Sequence, residues 1–274
     1  MTSQIDTPNR EIKGRIRRGE PITVCGLTFY PIMMERYEEF LQCKTAIAMR
    51  QSTFPVKYLS KDYLSAIFAM ELDAVAKDKK GTGILLNIID FLILALRIAG
   101  DRKKIMQESI SFRTDTREIE CIRLPLDNGE IAEISPMDFS TRIRPILAQQ
   151  NGIELPNEMQ NLDLVRSNEY LQSQKQRDVK LKVDTNDLIA AVAYQSKIRE
   201  RDILEWTVLE FENRRRAIER DKEYSAYKAA ELSGMVKFPK GNPVPSWCFD
   251  VIDDSLGTAS LEELGKRLVG AKQK

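Results

Sequence analysis

The side chains that usually carry chemistry near neutral pH are missing or wrongly spaced in this chain. It contains no histidine, the side chain that ordinarily titrates between pH 5 and 8. Ser-His-Asp and Cys-His nucleophile activation, His-Glu zinc sites and His-containing zinc fingers are therefore excluded within it. Carboxylate pairs, Ser-Lys pairs, Mg²⁺-carboxylate sites and all-cysteine zinc sites remain. The four cysteines, Cys25, Cys43, Cys121 and Cys248, form no Cys-x-x-Cys pair and are too dispersed for a small disulfide scaffold. They read as ordinary buried or half-buried thiols of a reducing compartment.

Three short motifs invite a catalytic or anion-binding reading. Lys80-Gly81-Thr82-Gly83 resembles a piece of a glycine-rich phosphate loop, but the Gly-x-x-x-x-Gly-Lys-Ser/Thr spacing and a preceding strand are absent, so a connection between helices fits better. Asp178-Val179-Lys180 has the acid-x-Lys form of Mg²⁺-dependent nucleases. That chemistry needs the pair on a strand beside another metal-binding acid, whereas here it falls in a charged stretch between helical patterns. Arg214-Arg215-Arg216 is flanked by Glu210, Glu212, Glu219, Asp221 and Glu223, a pattern of helix-face ion pairs. Carboxylates matched in space for glycoside hydrolysis leave no spacing signature, and nothing in the sequence points to one. The sequence thus predicts no catalytic residue, no metal site and no cofactor.

The elements that would position any site are mostly helical. The chain has 274 residues, with 42% apolar and 30% charged residues, enough to bury a core in one large or two ordinary domains. Lys+Arg number 42 against 41 Asp+Glu, so no global field draws the chain to nucleic acid. The opening residues Met1 to Asp6 are polar and predict no secretory signal. The stretch 84–99 (ILLNIIDFLILALRIA) is the most apolar of all. Sixteen residues rise roughly 24 Å, short of a hydrocarbon core of about 30 Å. Asn87, Asp90 and Arg97 share one narrow side, so the stretch reads as a central core helix with one wet edge.

Along the chain, residues 1–20 read as a flexible basic arm or a short solvated helix. Ile22 to Ile32 carries two β-rich runs around Cys25-Gly26, a small hairpin. Helical spacing follows over 34–52 and from about Lys61, ahead of the apolar helix. Residues 109–134 turn to β patterning around Asp127-Asn128-Gly129, predicting a hairpin or small sheet. Ser135-Pro136 opens a helix that Asn151-Gly152 closes. Pro156 marks a seam near 152–161. Beyond it, 162–176 reads as an exposed polar helix, and Asp184 or Thr185 starts another with Leu188, Ile189, Val192 and Ala193 on one face. Thr207-x-x-Glu210 is a capping box before a long helix ending at Gly234. Its stripe of Val208, Phe211 and Ile218 gives way to Ser225, Ala226, Ala229 and Ala230, small residues that predict a closely packed neighbouring helix. A Pro/Gly-rich loop with Phe238 and Trp247 follows, then a short helix capped at Ser260-x-x-Glu263.

The fold expected is mainly α with a small β component, an α+β helical bundle with one or two β-hairpins. The expected parts are an arm over 1–20, a helical domain with hairpins over 21–152, a C-terminal helical domain with the Pro/Gly-rich loop over 162–249, and a tail over 250–274.

The hairpin feeding helices, the helical segment 187–206 and above all the run from Ala230 to Trp247 (AELSGMVKFPKGNPVPSW) resemble tail assembly proteins of bacteriophages and prophages of Gram-positive hosts. The likeness is firmest over 185–249. It implies a helical chaperone of the host bacterial cytoplasm that holds the tape-measure protein, and in some cases the tail tube protein, during tail morphogenesis. Neither nucleic acid nor membrane is expected as a partner, and a homo-oligomer is left open. A holding partner needs amphipathic helices and aromatic anchors and no chemistry, which points to Tyr194, Trp206, Tyr224, Tyr227, Phe238 and Trp247 as protein-binding residues. The same aromatics suit a core equally well. A structural virion or baseplate protein is the second reading, and a Mg²⁺-carboxylate enzyme the third.

Overall fold

A computed structural model of the chain describes residues 6–77, 81–113, 118–158 and 184–234, with 236, 238, 242–244 and 246–248. They form a mainly helical α+β fold with two small antiparallel sheets. The described residues fall into two compact units. The first takes in those up to Glu158 together with Asp184–Arg215, and the second takes in those from Arg216 onward.

The first unit begins with α1 (Asp6–Arg17), the short helix of the two readings offered for the basic N-terminal residues. Ile16 is buried, and Arg15 Nη2 donates to Pro21 O at 2.6 Å. Next comes a hairpin, β1 (Ile22–Val24) and β2 (Leu27–Phe29), in the register Val24↔Leu27. Its two-residue turn puts Cys25 (φ 52°) and Gly26 (φ 76°) in the left-handed region, the geometry that matches the twist of paired strands. Four helices follow: α2 (Tyr37–Ala48), α3 (Tyr63–Val75), α4 (Ile84–Leu96) and α5 (Arg102–Glu108).

The centre of this unit is α4, the apolar helix read from the sequence. Nine of its thirteen residues are buried, with α2, α3, α5 and β2 packed around it. Phe91 meets Phe40 of α2 at 6.0 Å between ring centroids. At thirteen residues it rises about 20 Å, and among the described residues no helix is long and apolar enough to cross a membrane. It stops at Leu96, three residues earlier than the pattern suggested, because Arg97 turns left-handed (φ 55°). Ile98 N then bonds Ile93 O at 3.1 Å and Arg97 N bonds Leu94 O at 3.2 Å, a Schellman closure.

The β segment is a three-stranded antiparallel sheet: β3 (Ile110–Arg113), β4 (Glu118–Pro125) and β5 (Ile131–Ile134), in the order β3-β4-β5. Ser111 pairs with Cys121 but Phe112 with Ile119, so Glu120 is an extra residue on β4. That bulge explains why Cys121 and Ile122, neighbours in sequence, are both buried. Ser135 then caps α6 (Pro136–Asp138) by accepting from Asp138 N at 3.1 Å. A π-turn over Phe139–Ile143 leads into α7 (Arg144–Gln150), closed at Asn151-Gly152 as the sequence suggested.

Arg144, which no sequence pattern singled out, is buried. Nε donates to Ile47 O (2.9 Å), Nη2 to Met49 O (2.7 Å), and the guanidinium lies 3.6 Å from the Tyr63 ring centroid. Tyr63 Oη in turn donates to Ala46 O at 2.6 Å. Together they satisfy carbonyls left over at the C-terminal end of α2.

The seam expected near 152–161 does not part the later helices from the earlier ones. Helices α8 (Thr185–Ser196) and α9 (Glu200–Ile203), with the start of α10 (Val208–Leu232), belong to the first unit. Met34 N bonds Trp206 O and Val208 N bonds Ile32 O, both at 2.8 Å, around an isolated Met33↔Thr207 bridge. Thr207 and Glu210 form the predicted capping box: Thr207 N donates to Glu210 Oε2 (2.8 Å) and Glu210 N to Thr207 Oγ1 (3.2 Å).

In the second unit α10 continues from Arg216 to Leu232. Ser225, Ala226 and Ala229 are exposed there, so among the described residues no helix packs on them as the small-residue pattern suggested. Of the four thiols, Cys43 and Cys121 are buried while Cys25 and Cys248 are exposed, against the expectation for those two. The expected helix over 162–176, the Asp178-Val179-Lys180 motif, the C-terminal helix at Ser260 and the tail over 250–274 lie outside the described residues.

Candidate functional site

The six aromatic residues singled out as anchors are divided between the two units. Tyr194 on α8 is 80% exposed, the most open of them. Trp206 is half-buried, with the Arg214 guanidinium 5.9 Å from its ring centroid. In the second unit Tyr224 and Tyr227 are half-buried on α10, and Phe238 folds back onto Tyr227 at 5.7 Å between centroids. Trp247 is 56% exposed. Local bonds shape the Pro/Gly-rich loop: Asn242 Oδ1 accepts from Val244 N (2.9 Å), and Ser246 Oγ from Cys248 N (3.1 Å).

Much of the later half of α10 is exposed, and small or apolar residues share one side of it. Ser225, Ala229 and Leu232 recur at i, i+4 and i+7, one side of a helix, and all three are exposed, Leu232 at 76%.

Two of the three motifs have structural roles among the described residues. Glu71 occupies the donors of the loop that resembled a phosphate site: its carboxylate accepts from Thr82 N (2.7 Å), Ile84 N (3.0 Å) and Thr82 Oγ1. A side-chain carboxylate thus caps α4 where an anion would otherwise bind. A Cβ on Gly81 would lie 2.6 Å from Glu71 Oε2, so a larger residue there would push the capping carboxylate aside. In the arginine run, Arg214 covers Trp206 and Arg215 Nη2 pairs with Glu212 at 2.8 Å. Among the described residues no three Cys, Asp or Glu side chains converge as a metal-ligand set.

Sequence reasoning missed a charged groove at the C-terminal end of α4. Its volume is about 490 Å³; Ile32, Ile93, Leu94 and Ile98 supply apolar lining, and Glu35, Arg36, Arg97 and Arg102 the charges. Arg36 is forked on Glu39 (2.5 and 2.6 Å), and Arg102 Nη1 pairs with both Glu39 and Asp90. Asp90 Oδ1 lies 3.1 Å from Arg102 Nη1 and has no hydrogen-bond partner among the described residues. Burial raises the Asp90 carboxyl above its ordinary value despite the Arg102 charge, which pulls the other way. Burial likewise pushes the nearby Cys43 thiol up to about 12, so it is no nucleophile. Arg97 differs from the other two arginines. Its guanidinium stacks 4.5 Å from the Tyr30 ring centroid and no carboxylate pairs with it among the described residues. The wet edge of α4 was legible as Asp90 and Arg97. Their partners on 30–39 and at 102 were not, because no spacing links those segments.

No protein-family model, curated protein or solved structure matches this chain.

Proposed function

We propose that this chain is a binding protein of phage-type tail assembly, which holds a long helical partner of the tape-measure kind in the host bacterial cytoplasm and performs no covalent chemistry. One observation carries the reading: in the second unit Ser225, Ala229 and Leu232 stand open along one side of α10, and Trp247 of the Pro/Gly-rich run is exposed as well. Small residues let another backbone approach closely, while leucine and tryptophan contribute most of the area lost from water when a partner docks. Proline-rich loops lose little chain entropy on binding. Those are the surface properties a holding protein needs. The sequence likeness over 185–249 names the kind of partner.

The test is solubility. A tape-measure-type protein expressed alone is expected to aggregate, and co-expression with this chain is expected to keep it soluble and bound. A partner equally soluble with and without the chain would remove the reading. Recovery of the chain from purified particles at a fixed stoichiometry would favour a structural virion or baseplate protein instead.

A further inference from the structure

The groove beside Arg97 has the composition of a ligand site. Its volume of about 490 Å³ lies within the range of roughly 300–1,000 Å³ typical of small-molecule pockets, which are mainly apolar with a few fixed polar groups. Ile32, Ile93, Leu94 and Ile98 supply the apolar lining. Of its charged groups, Arg36 and Arg102 are already held by Glu39 and Asp90. Glu35 lies exposed in the lining. Among the described residues Arg97 alone of the three arginines forms no ion pair, and its plane is set by the Tyr30 ring.

The backbone at Arg97 adds an independent reason. The residue occupies the left-handed closing position of α4 (φ 55°, ψ 38°), where glycine is the usual choice and a larger residue carries strain. Lys197 closes α8 in the same conformation, so the backbone alone does not define a site. Position 97 combines that conformation with a stacked guanidinium and an adjoining apolar groove. A closing turn needs no side chain there; an anion does.

We propose that this groove binds a small amphipathic monocarboxylate, its carboxylate on the Arg97 fork and its hydrocarbon chain against Ile93, Leu94 and Ile98. An extended peptide fits less well. Pro31 has no backbone donor, and the N–H groups of Tyr30, Ile32 and Met34 are already spent on Ala95 O (2.7 Å), Asn151 Oδ1 (2.9 Å) and Trp206 O (2.8 Å). No ladder is left for a docking strand. A second groove that Arg97 and Tyr30 also line carries Asp127 and Glu130, and those carboxylates disfavour the same ligand there.

The experiment is an NMR titration of the full chain with octanoate and with its neutral counterpart octanamide. Octanoate is expected to shift the methyl resonances of Ile93, Leu94 and Ile98 saturably, and octanamide to bind roughly tenfold more weakly or worse, the loss of one charge-assisted contact. Arg97→Gly suits the left-handed backbone, so it is expected to melt no lower than the parent while losing octanoate affinity by a similar factor. Arg97→Asn, also tolerated there, is the second variant should the glycine form fold poorly. Equal binding of octanoate and octanamide overturns the proposal. So does undiminished affinity in a folded Arg97 variant, the absence of saturable shifts at these methyls, or an acidic peptide displacing octanoate as the tighter ligand.

Discussion

Tyr37 Oη donates a 2.8 Å hydrogen bond to Glu212 Oε1, joining the first residue of α2 to the second turn of α10 across 175 positions of sequence. Beside it the Tyr37 and Phe211 rings meet edge to face at 5.6 Å, and Phe211 is fully buried. This pair fastens the start of the long helix to the first unit. Removing the hydroxyl leaves a half-buried carboxylate with one partner fewer, so Tyr37→Phe is expected to cost about 2 kcal/mol, the range for a bond to a charged group. Phe211→Ala leaves a cavity and is expected to cost roughly 3–5 kcal/mol. Urea denaturation measures both; a change under about 0.5 kcal/mol in either, the level of ordinary surface substitutions, contradicts the fastening role.

The same carboxylate gives a pH dependence with a definite sign. Burial alone would raise Glu212, but the bonds from Arg215 and Tyr37, with the Arg215 charge, hold it below its ordinary value. A group depressed in the folded state contributes stability above its unfolded value and loses it as pH falls through the folded one. Glu212→Gln is therefore expected to lower the melting temperature at pH 7, with the difference shrinking below the ordinary carboxylate range. Asp90 runs the other way. It is raised by burial, so the folded state disfavours its charge, and Asp90→Asn is expected to melt no lower than the parent at pH 7. A marked loss of stability in Asp90→Asn at neutral pH would mean that its pairing with Arg102 outweighs its desolvation.

Arg144 tests whether a buried cation bonded to two carbonyls holds the α2–α3 connection. Its fork reaches two carbonyls that a lysine point charge cannot satisfy together. Arg144→Ala is expected to cost roughly 2–3 kcal/mol by leaving buried acceptors unmet, and Arg144→Lys is expected to recover less than half of it. Full recovery by lysine would show that charge rather than geometry matters at this position.

Much of the architecture was legible because local chemistry dictates it. The Ser135-Pro136 start, the Asp184 cap and the Thr207–Glu210 box each rest on side chains that bond within three residues of themselves, and the Cys25-Gly26 turn on two left-handed residues. Thr207→Ala should accordingly cost about 1 kcal/mol in urea denaturation. The apolar pattern of α4 identified the centre of the core, yet its end was misplaced because Arg97 takes a turn that glycine normally signals. The packing of 185–215 into the first unit was not legible at all. It depends on a two-bond bridge at Met33 and Thr207 and on Tyr37 meeting Glu212, contacts between segments with no sequence relation. The charged groove was hidden for the same reason. Small residues at 225–229 were read as a packed helix face because sequence reports the face and not whether the chain itself covers it.

The central claim, that the aromatic loop and open helix face of the second unit hold a partner, is tested most directly by a pull-down. The chain is co-expressed with a tape-measure-type protein, both as the parent and as Phe238→Ala with Trp247→Ala. Phe238 and Trp247 lie outside the buried core, so the double variant is expected to fold and melt like the parent. The account predicts stable co-purification with the parent and its loss with the variant. Equal recovery of the partner by both forms, or by neither, would contradict it.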